Sequence, residues 1–418
     1  MTDKILANKR NIMRMLPLFL VLFIDTLGAA FIIPLLAPLF IDSTTSILPA
    51  SAQYGMRTFL YGLTLGIYSI AAFFGAPILG DLSDKIGRKK ILLLCLVGAC
   101  IGYLLCAVGV VTHSVSLLVL GRIIDGFTAG SLSIAQASII DVSSKANKTK
   151  NIGYILLAIS LGYMLGPLIA GTLSNPRWAT WFDLTTPLYF AAILSFFNVL
   201  FLIFCFKETY IPQEKKTIHL LAGLTVFASA FKIPSIRSLM FGFLFLQLGW
   251  ATFVQFIGLF LTLKYHFSAN EVGVFLGCVG VGFTLAFCYL LEIVTRYFPL
   301  LKIAVVSISM IALCILAILS IDNEISVWVL SIPAATGLAI AFSVLTSLFS
   351  DQVDKDKQGW IMGLTGAIGA FSFGMTGLIA GIMVDFGVTI PIWFAFVCLA
   401  ASALTVYWSG MRKAKSQV

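Results

Sequence analysis

The chain has 418 residues, of which 60% are hydrophobic and 11% charged, with a formal net charge of +9. An ordinary soluble domain carries roughly a quarter charged residues, so this composition excludes water as the main solvent and identifies an integral membrane protein. The surplus of basic residues tempts a nucleic-acid reading, but its placement along the chain, taken up below, excludes one.

An apolar run needs about 20 residues to cross some 30 Å of hydrocarbon as a helix. Twelve such runs can be marked off between charge clusters and Pro/Gly breaks, with cores beginning at Pro17, Tyr61, Ile91, Val115, Ile152, Leu188, Ser238, Val272, Leu301, Ser326, Ile361 and Val388. No small-residue cleavage site follows the first run, so it is expected to stay as a helix rather than leave as a signal peptide. The first helix carries Asp25 and the fourth carries Arg122 and Asp125, the charges that fall deep inside spans. At 1.5 Å per residue, Asp25 lies about 13 Å from the start of its helix and Asp125 about 15 Å from the start of its own, so both belong near the midplane. Gly162, Gly166, Pro167 and Gly171 punctuate the fifth span at intervals that permit close helix approach.

The longest hydrophilic break runs from Lys207 to Arg237 and divides the chain into residues 1–206 and 238–418, each expected to hold six spans; 207–237 is then a linker. Within it, the apolar stretch Leu220 to Phe231 is too short to cross and is expected to lie on the membrane face. In the seventh span, Gln247, Trp250, Phe253 and Gln255 set two amides among aromatic rings. Polar amides in an apolar helix favour a cavity, where they are expected to meet a planar or amphiphilic ligand; structural packing explains them equally well.

Counting Lys and Arg, 23 of 27 fall in the first tail, in every second loop and in the last tail. Only Arg57, Arg177 and Lys264 lie in the opposite loops. This asymmetry places both termini in the cytoplasm, as expected for an even number of crossings, and the net charge reports topology rather than a nucleic-acid partner. The eight cysteines sit in or beside apolar segments without metal-ligand or redox spacing, so no metal site and no cofactor is expected.

The halves repeat. Asp141, Lys145, Gly153, Leu168, Ile169, Ala170 and Gly171 recur 210 residues on as Asp351, Lys355, Gly363, Leu378, Ile379, Ala380 and Gly381. Repeats in one order on a membrane chain are the arrangement of a transporter whose substrate site lies between its halves.

The loop Gly80 to Lys90, GDLSDKIGRKK, closely resembles the signature loop of the major facilitator superfamily through Gly80, Leu82, Asp84, Lys85, Gly87, Arg88 and Lys89. Helix 1 (Asp25, Leu27, Gly28, Pro34, Pro38), helix 4 (Leu118, Arg122, Gly126) and helix 5 (Gly162, Gly166, Pro167, Gly171) are similar to the drug/proton antiporter subgroup of tetracycline-efflux type. Two departures stand out: Asp125 occupies a place usually held by Gln, and Ala170 replaces a Gly. The resemblance implies an all-α integral membrane fold of two pseudo-symmetric six-helix bundles around a central cavity. It further implies a monomer in the bacterial inner membrane that works without a cofactor, on the proton gradient, with a small molecule, protons and membrane lipids as its partners.

On this reading Asp25 and Asp125 include the proton carrier, with Arg122 setting how readily it ionises, because desolvation favours a neutral carboxyl and a nearby cation a charged one. A fixed structural Arg122–Asp125 pair remains the alternative. Gly80, Asp84, Gly87, Arg88, Lys89 and Asp141 are expected to form a conformational latch, with Arg88 paired to Asp141 and Asp84 set against the start of the eleventh helix near Gly359. The expected function is proton-coupled export of a small amphiphilic drug or metabolite. Proton-coupled import or facilitated passage of a nutrient or siderophore is the alternative. An enzyme is not expected, since no cluster of nucleophiles or acids gathers near one interface.

Overall fold

The computed structural model describes residues 2–42, 45–143, 147–208, 224–225, 227–228, 234–352 and 358–416. The described residues form helices and loops without a strand, and twelve helices are long and apolar enough to cross a membrane. They are α1 (Met15–Phe40), α2 (Tyr54–Ile86), α3 (Arg88–Val111), α4 (Val115–Asp141), α5 (Asn151–Leu173), α6 (Thr186–Cys205), α7 (Ile236–Tyr265), α8 (Ala269–Tyr297), α9 (Leu300–Ser320), α10 (Glu324–Ser350), α11 (Gly363–Phe386) and α12 (Ile390–Met411). The spans agree with the runs read from the sequence, because each is set by local apolar length. An even number of crossings brings both termini to one end of the molecule, called here the termini end.

The two sets of six spans are packed alike. In the first set α1 packs on α5, α3 on α4 and α6, and α2 on α4; in the second α7 packs on α11, α9 on α10 and α12, and α8 on α10. Two irregularities interrupt the helices. A turn at Ala129 and Gly130 divides α4 into Val115–Thr128 and Ser131–Asp141, and a π-helical turn occupies Ala286–Leu290 of α8. The α4 break has a local cause: the Thr128 hydroxyl donates to the carbonyls of Ile124 (2.9 Å) and Asp125 (3.1 Å), and Ala129 N–H turns back to Gly126 O. Such back-bonding bends helices.

The halves meet chiefly through two helix pairs, α2 with α11 and α5 with α8. A Cβ at Gly66 would come within 2.6 Å of Gly374 O, and one at Gly62 would strike Gly377 O. One at Gly171 would come within 2.9 Å of Ala269 O. Backbone thus rests on backbone toward the end opposite the termini, here the far end. At the starts of α5 and α11, Gly153 and Gly363 meet nothing within 4 Å. The halves are therefore in backbone contact toward the far end, while Gly153 and Gly363 at the termini end are not. These contacts explain the repeat: Gly171 and Gly381, 210 residues apart, both seat a helix on the opposite half, while their repeated partners Gly153 and Gly363 both face open space. Lys145 and Lys355 of the repeat lie outside the described residues, as does most of Leu220 to Phe231. Of that stretch, Phe227 packs its ring 5.0 Å from Phe371 of α11, so at this point it touches the second half rather than only a membrane face.

Candidate functional site

Close approach of α1 to α5 builds one wall. A Cβ at Gly162 would collide with the Thr26 hydroxyl, and one at Gly166 would lie 2.6 Å from Leu27 O. The glycines of the α5 element therefore bring Asp25 and Thr26 beside Tyr163. Pro167 and Gly171 of the same element point elsewhere, to α8: the carbonyl of Pro167 abuts Gly273, and Gly171 abuts Ala269 and Asn270. A single motif thus shapes both the carboxyl-bearing wall and the contact between halves.

The second wall comes from α2, α3 and α4. Gly102 leaves only 2.8 Å between its Cβ position and the Asp125 Cβ, and Gly121 leaves 2.6 Å to Gly102 O, so α3 and α4 touch along their backbones. This places Tyr103 where its hydroxyl reaches the Asp125 carboxyl, and the missing side chain of Gly28 gives the phenol room. Gly126 lies against the backbone of Tyr68.

Arg122 is held from three sides. It pairs with Asp125 Oδ2 at 3.1 Å, with side-chain exposures of 3% and 5%, donates from Nε to Thr64 O at 3.4 Å, and lies 4.2 Å over the Tyr68 ring. A cation over a desolvated aromatic face gains about 2 kcal/mol, which adds to the ion pair in offsetting the cost of burying the guanidinium.

These walls enclose a cavity lined by Asp25, Thr26, Tyr68, Tyr103, Asp125, Thr128, Ala129, Ser131 and Tyr163, among others. About 40 Å³ of it admits the centre of a water molecule, whereas one water needs only ~10–15 Å³ and a drug-sized ligand a pocket of ~300 Å³ or more. The space suits a few waters and protons, not a substrate. Asp25 and Asp125 both face it, and Asp25 Oδ2 is buried without a hydrogen-bond partner among the described residues. The break in α4 lies on its wall at Thr128 to Ser131, where irregular backbone is tolerated because it borders a polar space.

At the termini end, Arg88 Nε lies 2.7 Å from Asp141 Oδ2 and Nη1 lies 3.2 Å from Asp84 Oδ1. Asp141 closes the second segment of α4. The loop is also held from α6: the Glu208 carboxylate accepts from the backbone N–H groups of Arg88 (3.1 Å) and Lys89 (3.0 Å), at the start of α3, and Lys89 Nζ donates to Ile203 O (2.9 Å). Gly87 adopts φ +108°, and a Cβ there would sit 2.6 Å from Glu208 Oε2. It is needed both for the turn and for the cap. Gly80 meets nothing within 4 Å. The side chain of Gln358 beside Gly359, the expected seat of Asp84, lies outside the described residues.

The four α7 residues divide. Gln247 (7% exposed) approaches Gly369 of α11, and Trp250 packs on Phe253 and Phe283 at 5.5 and 5.9 Å. Phe253 has no exposed surface. Gln255 is committed to helix packing: Nε2 donates to Phe373 O at 3.0 Å and Oε1 accepts from the Thr376 hydroxyl at 3.4 Å. In this arrangement neither Phe253 nor Gln255 faces open space: Gln255 is held against α11, and Phe253 is buried in the apolar core of the second half.

Sequence reasoning passed over Tyr68, Tyr103, Tyr163 and Ser131 at the cavity and Glu208 at the loop. The tyrosines carried a usable signal, since a phenol inside an apolar span must find a polar partner.

A family model described as "Major Facilitator Superfamily" matches residues 18–377. Among curated proteins, the class C tetracycline resistance protein of Escherichia coli is 27% identical over 347 residues, covering 82% of this chain and 83% of that one. The quinolone resistance protein NorA of Staphylococcus aureus is 26% identical over 403 residues, covering 95% and 97%. Among solved structures, the human organic anion transporter MFSD10 superposes with a TM-score of 0.69 at 19% identity, covering 95% of this chain and 99% of that one, a likeness of fold. With its twelve spans, paired six-helix sets and matching family model, the chain belongs to the Major Facilitator Superfamily, a family of transporters and not of enzymes.

Proposed function

We propose that this transporter is a proton-coupled exporter of a small amphiphilic molecule, seated in the bacterial cytoplasmic membrane with both termini in the cytoplasm and needing no cofactor beyond the proton gradient. Residues 1–206 and 238–418 act as the two rocking bundles, joined by the linker 207–237. The supporting observation is the pair of carboxyls on one water-sized cavity at mid-span, one of them with an unpartnered oxygen.

A charge at that depth costs at least about 2.5–3.5 kcal/mol. Asp125 offsets this with Arg122 and Tyr103, whereas Asp25 has no such cation. Asp25 is therefore the group that holds a proton when the cavity is dry and gives it up when water or a cation enters, and Arg122 with Asp125 sets the local field. With the far end closed, substrate enters from the termini end between the halves, where Gln247 of α7 faces α11 and Trp250 faces α8. Rocking about the α2/α11 and α5/α8 contacts then presents it to the far side. One proton per cycle through 100 mV supplies about 2.3 kcal/mol, enough for roughly a 40-fold gradient.

The names of the two curated relatives supply the probes. In everted vesicles an acid lumen, from which protons run outward, is expected to drive tetracycline or a quinolone into the lumen, the side facing the far end. Accumulation on the termini side under that gradient would instead establish the importer reading, and movement indifferent to the gradient a facilitator.

A further inference from the structure

We infer that Tyr61 is the clasp of the far-side gate, a positioning residue whose hydroxyl ties α2 of the first half to the α7 main chain of the second. The inference rests on the alternating-access reading above and adds a residue that sets its equilibrium. Tyr61 has no exposed surface, and its hydroxyl donates to Gln255 O at 2.8 Å across 194 positions of sequence and across the halves. Its ring lies 5.4 Å from Phe256. The acceptor is itself fixed: the Gln255 side chain is bound to α11 through Phe373 O and the Thr376 hydroxyl, and Thr376 also donates to Ser372 O at 2.8 Å. Three helices, α2, α7 and α11, are therefore joined at one buried point.

Its surroundings mark that point as a gate and not a permanent core. The apolar cluster around Tyr61 contains residues of both halves, with Leu35, Leu36 and Leu65 from the first and Phe256, Leu259 and Val384 from the second. The other apolar clusters each draw their buried residues from one half. Next to Tyr61, Gly62 and Gly66 rest on the backbone of α11. Opening the far side must separate these surfaces. Apolar faces and glycine backbones re-form their contact in any of several nearby registers, whereas one hydrogen bond to one carbonyl selects a single register and adds its own weight to the closed state.

The test measures the gate directly. In the full chain reconstituted in lipid nanodiscs, Met56→Cys and Phe386→Cys, 53% and 78% exposed at the far end of opposite halves, carry spin labels, with exposed Cys205 and Cys288 replaced by Ser. Electron–electron distance distributions are recorded at pH 5.5 and 8. The wild type is expected to show a short and a long population. Tyr61→Phe keeps the ring and removes only the donor, so the long population is expected to gain about fivefold relative to the short one, the ratio that ~1 kcal/mol for a net hydrogen bond gives at 1.4 kcal/mol per tenfold. Gln255→Leu, which keeps the main-chain acceptor but frees it from α11, is expected to shift the ratio the same way. A merely structural role would lower the unfolding temperature and leave the ratio unchanged, and an unchanged ratio in both variants overturns the clasp. A single distance in the wild type at both pH values overturns alternating access itself, and the clasp with it.

Discussion

Asp25→Asn separates proton coupling from folding, and the structure fixes how cleanly. Asn has the size of Asp, and the oxygen it alters, Oδ2, makes no hydrogen bond among the described residues. The carboxyl's contact with the Ser131 side chain can be kept by the remaining oxygen, and one buried polar atom replaces another, so the change in stability is expected to stay within about 1 kcal/mol. The effect on transport is of another order. With no potential and two pH units imposed, one coupled proton supports about a 100-fold gradient, since each unit is worth 1.4 kcal/mol, or tenfold. A side chain that carries no proton supports none. Proteoliposomes with that gradient should therefore show about 100-fold accumulation of the transported probe for the wild type and no accumulation for Asp25→Asn, while counterflow, which needs only rocking, continues in both. Undiminished accumulation by the variant refutes the reasoning. Loss of counterflow along with accumulation would move Asp25 from coupling to substrate binding.

The Arg122–Asp125 pair gives a second test through stability. Arg122→Leu leaves a carboxylate buried without its cation and is expected to cost about 3–5 kcal/mol, whereas Arg122→Leu with Asp125→Leu removes both charges and recovers most of that; thermal unfolding of the purified variants measures both. Gly87→Ala forces an L side chain to φ +108° and into Glu208 Oε2. A loss of about 1–3 kcal/mol is expected, and proteolysis at the α2–α3 loop should accelerate by the matching factor.

What the sequence disclosed follows from how locally each feature is encoded. The spans depend on apolar length, which is encoded locally, so all twelve could be read directly. Asp25, Arg122 and Asp125 stood out because a charge in hydrocarbon is costly wherever it sits. The contact of Arg88 with Asp141 was expected from the signature loop and is present at 2.7 Å. Glu208 could not be found this way, because the amides it caps lie 120 and 119 positions earlier. Tyr68, Tyr103 and Tyr163 announce by their phenols that polar partners exist, but that all three meet at one cavity is decided by glycines on neighbouring helices. Gln255 shows the converse: an amide in an apolar span announces a polar partner, but whether that partner is a ligand or the next helix is decided by the position of α11.

On the proposed reading, the repeat separates gate from coupling. Gly171 and Gly381, with Leu168 and Leu378, lie at matching contacts of α5 on α8 and α11 on α2, so the far-side closure is written twice. The acids are not: 210 residues on from Asp125 stands Ala335, and α7, the counterpart of α1, carries no Asp or Glu between Ile236 and Tyr265. Symmetric contacts permit two opposite tilts of nearly equal energy, which alternation requires, and a symmetric pair of proton sites is not needed to bias them. One site in one half suffices if its protonation changes the packing of α1 and α4 beside the break at Thr128 to Ser131. Variants of the gate should therefore move the balance of states at every pH alike, and variants of Asp25 should remove the dependence of that balance on pH. Gate and carboxyl substitutions that produced the same pH profile would place both functions in a single element and dissolve this division.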